Sequence, residues 1–285
     1  MKKTPRISVM MPAYNSEKYI GEAIESILNQ TFADFELIVL NDSPDNAELD
    51  KIIKEYAKKD KRVKYVKNPK NLGIPRSRNK LLQCATGEYL ACMDSDDVAM
   101  PTRFEKQIRY MEEHPECGVL GTWFKCFGKS DNVVRHPERI KILNLLANQH
   151  VGNPTVLIRK SVIDKYDFTY NETYDCAQDF ELWTRMIFVT EIHNLPEILL
   201  KYRWHGNNVS IEKAKRQLYL ANQAKQNILN RLTLDETKQK YILDCARQEI
   251  KCGILLPKWL GRICCLFIPK REIRHRFRDK YVKEK

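Results

Sequence analysis

The sequence predicts an α/β fold: a mostly parallel central sheet with helices on both faces, followed by a C-terminal helical extension. Three observations predict it. Short, nearly continuous apolar runs alternate with segments of helical periodicity in the first hundred residues, as expected for strands buried on both faces. Polar residues collect where these runs end. The chain has 285 residues, 43% hydrophobic and 30% charged, which suits a large folded core and excludes a disordered protein.

The first predicted strand, residues 7–12, is a β-favouring run that Pro12 ends. Residues 16–30 are the first predicted helix, because apolar residues recur three and four positions apart and Ser16 is a suitable N-cap. Residues 35–40 are the second strand, since this apolar run precedes the turn-rich sequence NDSPDN.

Two further helix and strand pairs complete the first half. A predicted helix over 46–59 leads to a strand at 63–67, which a loop with the sequence NPKNLG follows. Pro75 favours the start of the next helix, because its fixed φ suits the first helical turn. The apolar run 88–94 is the fourth strand.

The second half has a looser pattern. Its predicted elements are a strand with a Gly-rich turn at 117–128, a strand running into a helix at 153–163, an amphipathic helix at 178–189, a strand at 197–205 and two helical segments within 211–252. This change predicts two units: a main domain, residues 1–210, and a basic helical extension, residues 211–285.

Polar residues follow three of the predicted strands. Tyr14 and Asn15 follow the first strand, Asp42 follows the second, and the run D-S-D-D at 94–97 follows the fourth. The carboxyl ends of parallel strands meet at one edge of a sheet, where open α/β sheets bind their ligands. The sequence therefore predicts one crevice that contains all of these residues.

The D-S-D-D run places three carboxylates within four positions. Carboxylates this close raise one another's pKa unless a cation is present. Mg²⁺ and Mn²⁺ suit such a site, because they take oxygen ligands and are held by one or two carboxylates together with substrate phosphates. The run therefore indicates a metal-bound diphosphate. The alternative is a helix cap, with Asp96 or Asp97 capping a helix that starts near Pro101.

Three segments of the chain resemble the family 2 glycosyltransferases, which have the GT-A fold. They are residues 7–45, residues 71–107 and the sequence AQDFELWTRM at 177–186. The resemblance implies an inverting transferase that uses a nucleotide-activated sugar, commonly a UDP-sugar, with Mn²⁺ or Mg²⁺. It also implies a setting in bacterial surface-polysaccharide assembly, such as lipopolysaccharide or capsule, with a glycan or lipid-linked glycan as the acceptor.

The resemblance assigns a role to each matching residue. Asp42 matches the aspartate that reads the uracil edge, although this chain has Asn41 and Ser43-Pro44 within a run that is often Asp-Asp-Gly-Ser. Arg78 matches an arginine near the nucleotide, whereas Arg76 is expected on a solvated helix face. The implied nucleotide-sugar site comprises Pro12, Ala13, Tyr14, Asn15, Asp42, Arg78, Asp94, Ser95 and Asp96. The implied metal ligands are Asp96, Asp94 and Asp97, with His205 as a further candidate whose alternative role is structural.

Asp179 matches the catalytic base, although Gln178 precedes it where many relatives have Glu. It would remove the proton from an acceptor hydroxyl as that oxygen attacks the anomeric carbon from the face opposite the leaving group. The metal would neutralise charge on the departing diphosphate. The alternative role of Asp179 is to stabilise the dipole at a helix N-terminus.

Four other residues have less defined roles. Arg203 and His205 lie in a segment that resembles a loop closing over the diphosphate. Trp183 is expected either to pack beneath the site or to line an acceptor groove, and His150 is expected to be structural.

The formal net charge of +12 is concentrated near the C-terminus, where residues 251–285 hold eleven Lys or Arg against three acidic residues. Beside this charge lie apolar residues suited to shallow insertion into an anionic membrane surface, and a solvated basic face is the alternative. These apolar residues are Trp259, Leu260, Leu266 and Phe267.

The chain shows neither a secretory leader nor a spanning segment, because the apolar run 252–268 is short and is broken by Pro257, Lys258 and Arg262. Its nine cysteines form no CxxC pair. We therefore expect a cytoplasmic protein, peripheral at the inner face of the cytoplasmic membrane.

Two other functions fit parts of the sequence. A metal-dependent nucleotidyltransferase would share the nucleotide crevice and the aspartate-bound metal. A nucleic-acid-binding protein would use the basic charge, but that charge sits in the tail and lacks the interleaved aromatic residues of a base-stacking surface. We therefore expect no nucleic-acid partner.

Overall fold

The structure is a computed structural model, and it describes residues 4–205, 213–232 and 239. The second predicted helical segment, the basic tail and its apolar residues lie outside the described residues.

Ten strands and eight α-helices are described. The strands are β1 (Ile7–Ala13), β2 (Phe35–Asn41), β3 (Val63–Lys67), β4 (Tyr89–Cys92), β5 (Val98–Ala99), β6 (Cys117–Gly128), β7 (Val133–Val134), β8 (Arg139–Ile140), β9 (Leu157–Arg159) and β10 (Glu191–Trp204). The helices are α1 (Ile20–Leu28), α2 (Ala47–Lys59), α3 (Ile74–Cys84), α4 (Arg103–Glu113), α5 (Ile142–Ala147), α6 (Lys160–Tyr166), α7 (Gln178–Met186) and α8 (Ala214–Arg231).

All ten strands belong to one sheet. Eight of them follow the order β3-β2-β1-β4-β9-β6-β10-β5, and β7 and β8 pair with β6 and β10 outside this order. The long strands are parallel: β1 pairs with β2 and β4, β2 pairs with β3, and β6 pairs with β10. The short strands β5, β7, β8 and β9 pair antiparallel with their neighbours. The predicted α/β fold with a mostly parallel sheet is confirmed.

Each face of the sheet carries its own hydrophobic cluster. Helices α1, α2 and α4 contribute to the cluster on one face. Helices α3, α5, α7 and α8 contribute to the cluster on the other. Strand β2 is buried along its whole length, as its continuous apolar sequence predicts for a strand covered on both sides.

Several predicted boundaries are wrong, and two of them have a specific physical cause. Helix α1 begins at Ile20, not at Ser16, because residues 16–19 form a turn in which the Ser16 carbonyl accepts from the N–H groups of Tyr19 and Ile20. Strand β10 begins at Glu191, not at 197, because a register shift between Leu195 and Ile198 accommodates Pro196, which has no N–H to donate.

Helix α8 packs on the main domain through Leu220, Ala224 and Ile228, which are buried in the same cluster as α5 and α7. Within the described ranges, none of the helices combines the length and apolar composition that crossing a bilayer requires.

Candidate active site at the carboxyl edge of the sheet

The loops after β1 and β2 are joined by a hydrogen bond that the sequence did not reveal. Asn15, in the left-handed region with φ 46°, donates its backbone N–H to Ser43 Oγ at 2.9 Å. The Ser43 N–H in turn donates to Asn41 Oδ1 at 2.8 Å. Asn41 and Ser43 are two of the three residues, with Pro44, in which this chain departs from the family pattern. Here they connect the segment after β1 to the end of β2.

Asp42 is buried and held in one orientation by three donors. Its Oδ1 accepts from Asn68 Nδ2 at 2.7 Å and from the Leu72 N–H at 2.9 Å, and its Oδ2 accepts from the Gly73 N–H at 3.0 Å. A carboxylate has about four acceptor positions. This arrangement leaves room for one more donor.

The first loop presents one open aromatic side chain. Tyr14 is 56% exposed, so its ring is available to a flat ligand, whereas the Ala13 side chain before it is fully buried. Pro12 lies within β1, opposite Leu40, and Ser95 is buried in the loop that follows β4. Of these residues, only Tyr14 offers an open ring face.

Arg78, on α3, forms an ion pair with Asp94 at the end of β4. Its Nη2 donates to Asp94 Oδ1 at 3.0 Å, and its guanidinium lies 5.6 Å from the ring centre of Tyr170. Burial raises the pKa of Asp94, the charges of Asp96 and Asp179 raise it further, and Arg78 opposes them. The Nη1 of Arg78 is buried without a partner in the described part of the chain. The ion pair with Asp94 therefore leaves this second guanidinium nitrogen as an unused donor.

Asp96 is in contact with the end of β10. Its carboxylate Oδ2 lies 3.2 Å from His205 Nε2, and its backbone carbonyl accepts from Arg203 Nε at 2.7 Å. The His205 ring stacks on Tyr19, with 5.7 Å between ring centres. Arg203 and His205, in the predicted closing segment, therefore contact the D-S-D-D run. The Arg203 guanidinium lies 4.7 Å from the ring centre of Tyr19 and 4.4 Å from that of Phe127.

The Asp97 side chain is fully buried next to Arg203. Its Oδ1 accepts from the Arg203 N–H at 2.8 Å, and its Oδ2 has no partner among the described residues. Burial raises the pKa of Asp97 well above its ordinary value, and the charges of Asp96 and Asp94 add to this effect. A cation close to the loop would lower the cost of keeping three carboxylates together.

Of the four side chains predicted to bind the metal, two lie in direct contact: Asp96 Oδ2 is 3.2 Å from His205 Nε2. Neighbouring ligands of an octahedral Mg²⁺, each about 2.1 Å from the ion, lie roughly 3 Å apart, and Asp96 Oδ2 and His205 Nε2 meet this requirement. Asp94 is engaged with Arg78, and Asp97 with Arg203. Within the described ranges, no group of three or more His, Cys, Asp or Glu side chains could hold a metal ion on its own. Asp96 and His205 therefore fit an ion only as two ligands, and substrate phosphates and water would have to supply the others.

Asp179 lies in the first turn of α7, near the Arg78–Asp94 ion pair. Its Oδ2 accepts from Gln149 Nε2 at 2.9 Å, and its charge is close enough to raise the pKa of Asp94. Sequence reasoning missed Gln149, because nothing in its local sequence marks it.

The remaining sequence-predicted residues lie outside this polar cluster. Arg76 is exposed and pairs with Glu172 at 2.7 Å. Trp183 is fully buried in the hydrophobic cluster and serves packing. His150 is half-buried, with its ring centre 6.2 Å from that of His136.

A family model described as glycosyl transferase family 2 matches residues 8–180. An uncharacterized glycosyltransferase of Methanocaldococcus jannaschii is 37% identical over 221 residues, covering 75% of this chain and 76% of the relative. The O-antigen biosynthesis glycosyltransferase WbnJ of Escherichia coli is 33% identical over 224 residues, which cover 75% of this chain and 84% of the relative. The UDP-Glc:alpha-D-GlcNAc-diphosphoundecaprenol beta-1,3-glucosyltransferase WfgD of Escherichia coli is 30% identical over 214 residues, covering 73% and 81%.

Solved structures share the fold. Staphylococcus aureus TarS, residues 1–349 in complex with UDP, superposes with a TM-score of 0.68 at 20% identity, covering 96% of this chain and 87% of TarS. The mannosyltransferase PcManGT of Pyrobaculum calidifontis, in complex with GDP-Man and Mn²⁺, superposes with a TM-score of 0.61 at 14% identity, covering 97% and 84%.

Proposed function

This chain belongs to glycosyl transferase family 2 and is a glycosyltransferase, and we propose that it moves a sugar from a UDP-sugar to a hydroxyl of a glycan or lipid-linked glycan, with inversion. One observation carries the proposal. Asp179 and the D-S-D-D run come from distant parts of the chain, and the charge of Asp179 acts on both Asp94 and Arg78, which supports a shared site at the carboxyl edge of the sheet. An inverting transfer requires a base on one side of the reacting carbon and a stabilised leaving group on the other.

The donor nucleotide would bind between the ends of β1 and β2. The exposed ring of Tyr14 offers a stacking surface for the base, and the remaining acceptor position of Asp42 suits the ring N–H of uracil. Arg78 Nη1 would donate to the ribose or the diphosphate.

Asp179 would act as the general base. Its partner Gln149 donates to one carboxylate oxygen, which fixes the orientation of the carboxylate and leaves the other oxygen to accept the acceptor proton. Asp179 also lies in the first turn of α7, beside the positive end of the helix dipole.

Asp96 and His205 would hold a Mg²⁺ or Mn²⁺ ion, which when bound supplies positive charge to the leaving diphosphate. Arg203 keeps this loop in place through the Asp96 carbonyl and the Asp97 carboxylate.

The proposed setting is surface-polysaccharide assembly at the inner face of the cytoplasmic membrane. The names of WbnJ and WfgD, which refer to O-antigen biosynthesis and to an undecaprenol-linked acceptor, support it. The basic, Trp-containing tail would supply the membrane contact, because Lys and Arg attract anionic lipid.

A donor screen tests the proposal. Metal-dependent release of nucleoside diphosphate would be measured over a panel of nucleotide-sugars. We expect release from a UDP-sugar, and a loss of about 10²-fold or more in Asp179→Asn and in Asp96→Asn. Asp164→Asn, at an exposed carboxylate of α6, is the matched control. Full activity in both site variants, or pyrophosphate-dependent turnover of nucleoside triphosphates without sugar release, would contradict the proposal.

A further inference from the structure

Two lysines face each other at the centre of a four-stranded part of the sheet. In this part β7 pairs with β6, β6 with β10, and β10 with β5. Lys125 on β6 is aligned with Lys201 on β10, and Val133 and Val98 are their partners on the two outer strands. We call Lys125 and Lys201 the lysine pair.

Both side chains of the lysine pair leave the same face of the sheet. Aligned residues of neighbouring strands point to one side, and so do residues two positions apart on one strand. Arg203 and Phe127 are aligned two positions further along β10 and β6, and the Arg203 guanidinium lies 4.4 Å from the Phe127 ring centre. The lysine pair therefore shares its face with the side chain of Arg203.

This face adjoins the D-S-D-D run. Arg203 donates from Nε to the Asp96 carbonyl at 2.7 Å, and its backbone N–H donates to Asp97 Oδ1 at 2.8 Å. Lys201 is aligned with Val98, the residue that follows Asp97. Because two residues of a strand span about 7 Å, the backbone of the lysine pair lies roughly that far from Arg203.

The described residues do not balance the charge of the lysine pair. Both side chains are exposed, and neither forms an ion pair or a hydrogen bond with the part of the chain that the structure describes. Adjacent strands lie about 4.8 Å apart, and like charges directly opposite each other destabilise a sheet. Arg135 adds positive charge to this face, because its guanidinium lies 5.6 Å from the ring centre of Trp123, two positions before Lys125.

Protection of a sheet edge does not account for this arrangement. Lysines are common on edge strands, where they prevent pairing with other chains. Here β6 and β10 are the two inner strands, with β7 and β5 on their outer sides. An anion between the two ammonium groups would remove their repulsion.

A phosphate group suits the lysine pair, since lysine ammonium groups bind phosphate as point charges on flexible stems. In the proposed site the donor diphosphate has a different partner, the ion on Asp96 and His205. The lysine pair is therefore available to a phosphate of the second substrate.

We propose that the lysine pair binds the phosphate or diphosphate through which a lipid-linked acceptor is joined to its lipid. This inference rests on the proposed transferase function and narrows its acceptor class to glycans with an anionic link to the lipid. A phospholipid headgroup of the membrane has the same chemistry and is the rival source of phosphate.

Calorimetric titration of the full chain with farnesyl diphosphate tests the proposal, in EDTA so that no divalent ion connects the probe to Asp96. We expect saturable binding that weakens at least about tenfold in the double variant Lys125→Gln/Lys201→Gln. The control Lys58→Gln/Lys61→Gln removes the same charge from exposed lysines near the start of β3, and it should bind as the parent does.

Lys125→Glu separates binding from stability. The carboxylate would face Lys201 across the strands and replace a repulsion by an attraction. The midpoint of urea unfolding should therefore stay the same or rise, while binding of farnesyl diphosphate is lost. A lower midpoint together with lost binding would show that Lys125 serves the fold, which overturns the proposal.

Flotation with vesicles of equimolar phosphatidylcholine and phosphatidylglycerol identifies the source of the phosphate. The lysine double variant should bind these vesicles as the parent does, because the basic tail is the proposed membrane contact. Three results overturn the proposal: no saturable binding of farnesyl diphosphate, equal binding by parent and double variant, or vesicle binding that is lost with the lysine pair. Binding of UDP with Mn²⁺ is measured separately on the parent, so that failure of the donor site and failure of the lysine pair are distinguished.

Discussion

Arg78 and Arg76 lie two positions apart on one helix and differ sharply in environment. The Arg78 side chain is 9% exposed and pairs with Asp94, whereas Arg76 is 56% exposed and pairs with Glu172. Removing one partner of a buried pair leaves an uncompensated charge, while exposed pairs contribute little. We expect Arg78→Met to lower the free energy of unfolding by about 3 kcal/mol and Arg76→Met by less than about 1 kcal/mol.

Urea denaturation of the two variants checks this prediction. Equal midpoints for Arg78→Met and Arg76→Met would show that Asp94 is solvated when Arg78 is absent. Of the two variants, only Arg78→Met should weaken the proposed binding of UDP, because only Arg78 pairs with Asp94 at the end of β4.

His136 predicts a pH dependence of stability. Its pKa is about 4 in the folded chain against 6.5 for an ordinary histidine, because burial and His150 disfavour the charged form. Between these values the unfolded chain binds more protons, so stability is complete above pH 6.5 and falls as the pH drops towards 4. The loss is about 3 kcal/mol over this window. His136→Phe should remove the loss of stability that protonation of His136 causes. Unfolding midpoints of parent and variant at pH 7.5, 6 and 4.5 would test this. Parallel pH curves for the two proteins would contradict the prediction.

Local sequence patterns indicated candidate site residues but not the residues that donate hydrogen bonds to them. Asp42 and Asp179 carry recognisable local patterns. Asn68, which donates to Asp42, lies 26 positions away, and Gln149 lies 30 positions from Asp179. An amide that orients a carboxylate from such a distance has no local signature, because only the folded sheet brings the two together.

The N-cap residue of helix α3 is a glycine, Gly73, whose backbone N–H holds Asp42. Gly73 has φ 80° and ψ 165°, a conformation open essentially to glycine, and its N–H donates to Asp42. We expect Gly73→Ala to cost about 2 kcal/mol of stability through strain, since open space surrounds an added Cβ. The shifted N–H should also weaken UDP binding.

A glycine inside α1 provides the control. Gly21 is helical, and an added Cβ would meet Tyr56 at an ordinary 3.5 Å. Gly21→Ala should therefore stabilise the chain by about 0.5–1 kcal/mol. If thermal unfolding showed Gly73→Ala to be as stable as Gly21→Ala, the backbone at residue 73 would not be strained.

Elements with strong local periodicity were predictable, and those made by pairing were not. Strands β1 to β4 and the helices between them follow the apolar runs of the sequence. The two-residue strands β5, β7 and β8 exist only because a longer neighbour offers them hydrogen bonds. Likewise, Pro196 has no N–H to donate to a neighbouring strand, and the register shift that allows β10 to continue past it depends on β6.

The described part of the C-terminal extension, α8, should unfold together with the main domain. Ile228 is buried against the cluster that contains α5 and α7, whereas Leu218 on the same helix is 62% exposed. Unfolding should therefore show a single transition, whose free energy falls by about 3 kcal/mol in Ile228→Ala and stays nearly unchanged in Leu218→Ala. Two separate transitions by calorimetry would show instead that the extension is an independent unit.

Strand β9 has only three residues, and among the described strands it is the one that connects β4 to β6, with Leu157 paired to Ala91 on β4 and to Leu120 on β6. During translation both of these strands leave the ribosome before residue 157 does. At about 5–20 residues per second, the nascent chain spends seconds with two unpaired backbone edges. Stalled or truncated chains that stop before Leu157 should therefore be prone to aggregate and to need chaperones, while the completed chain is not.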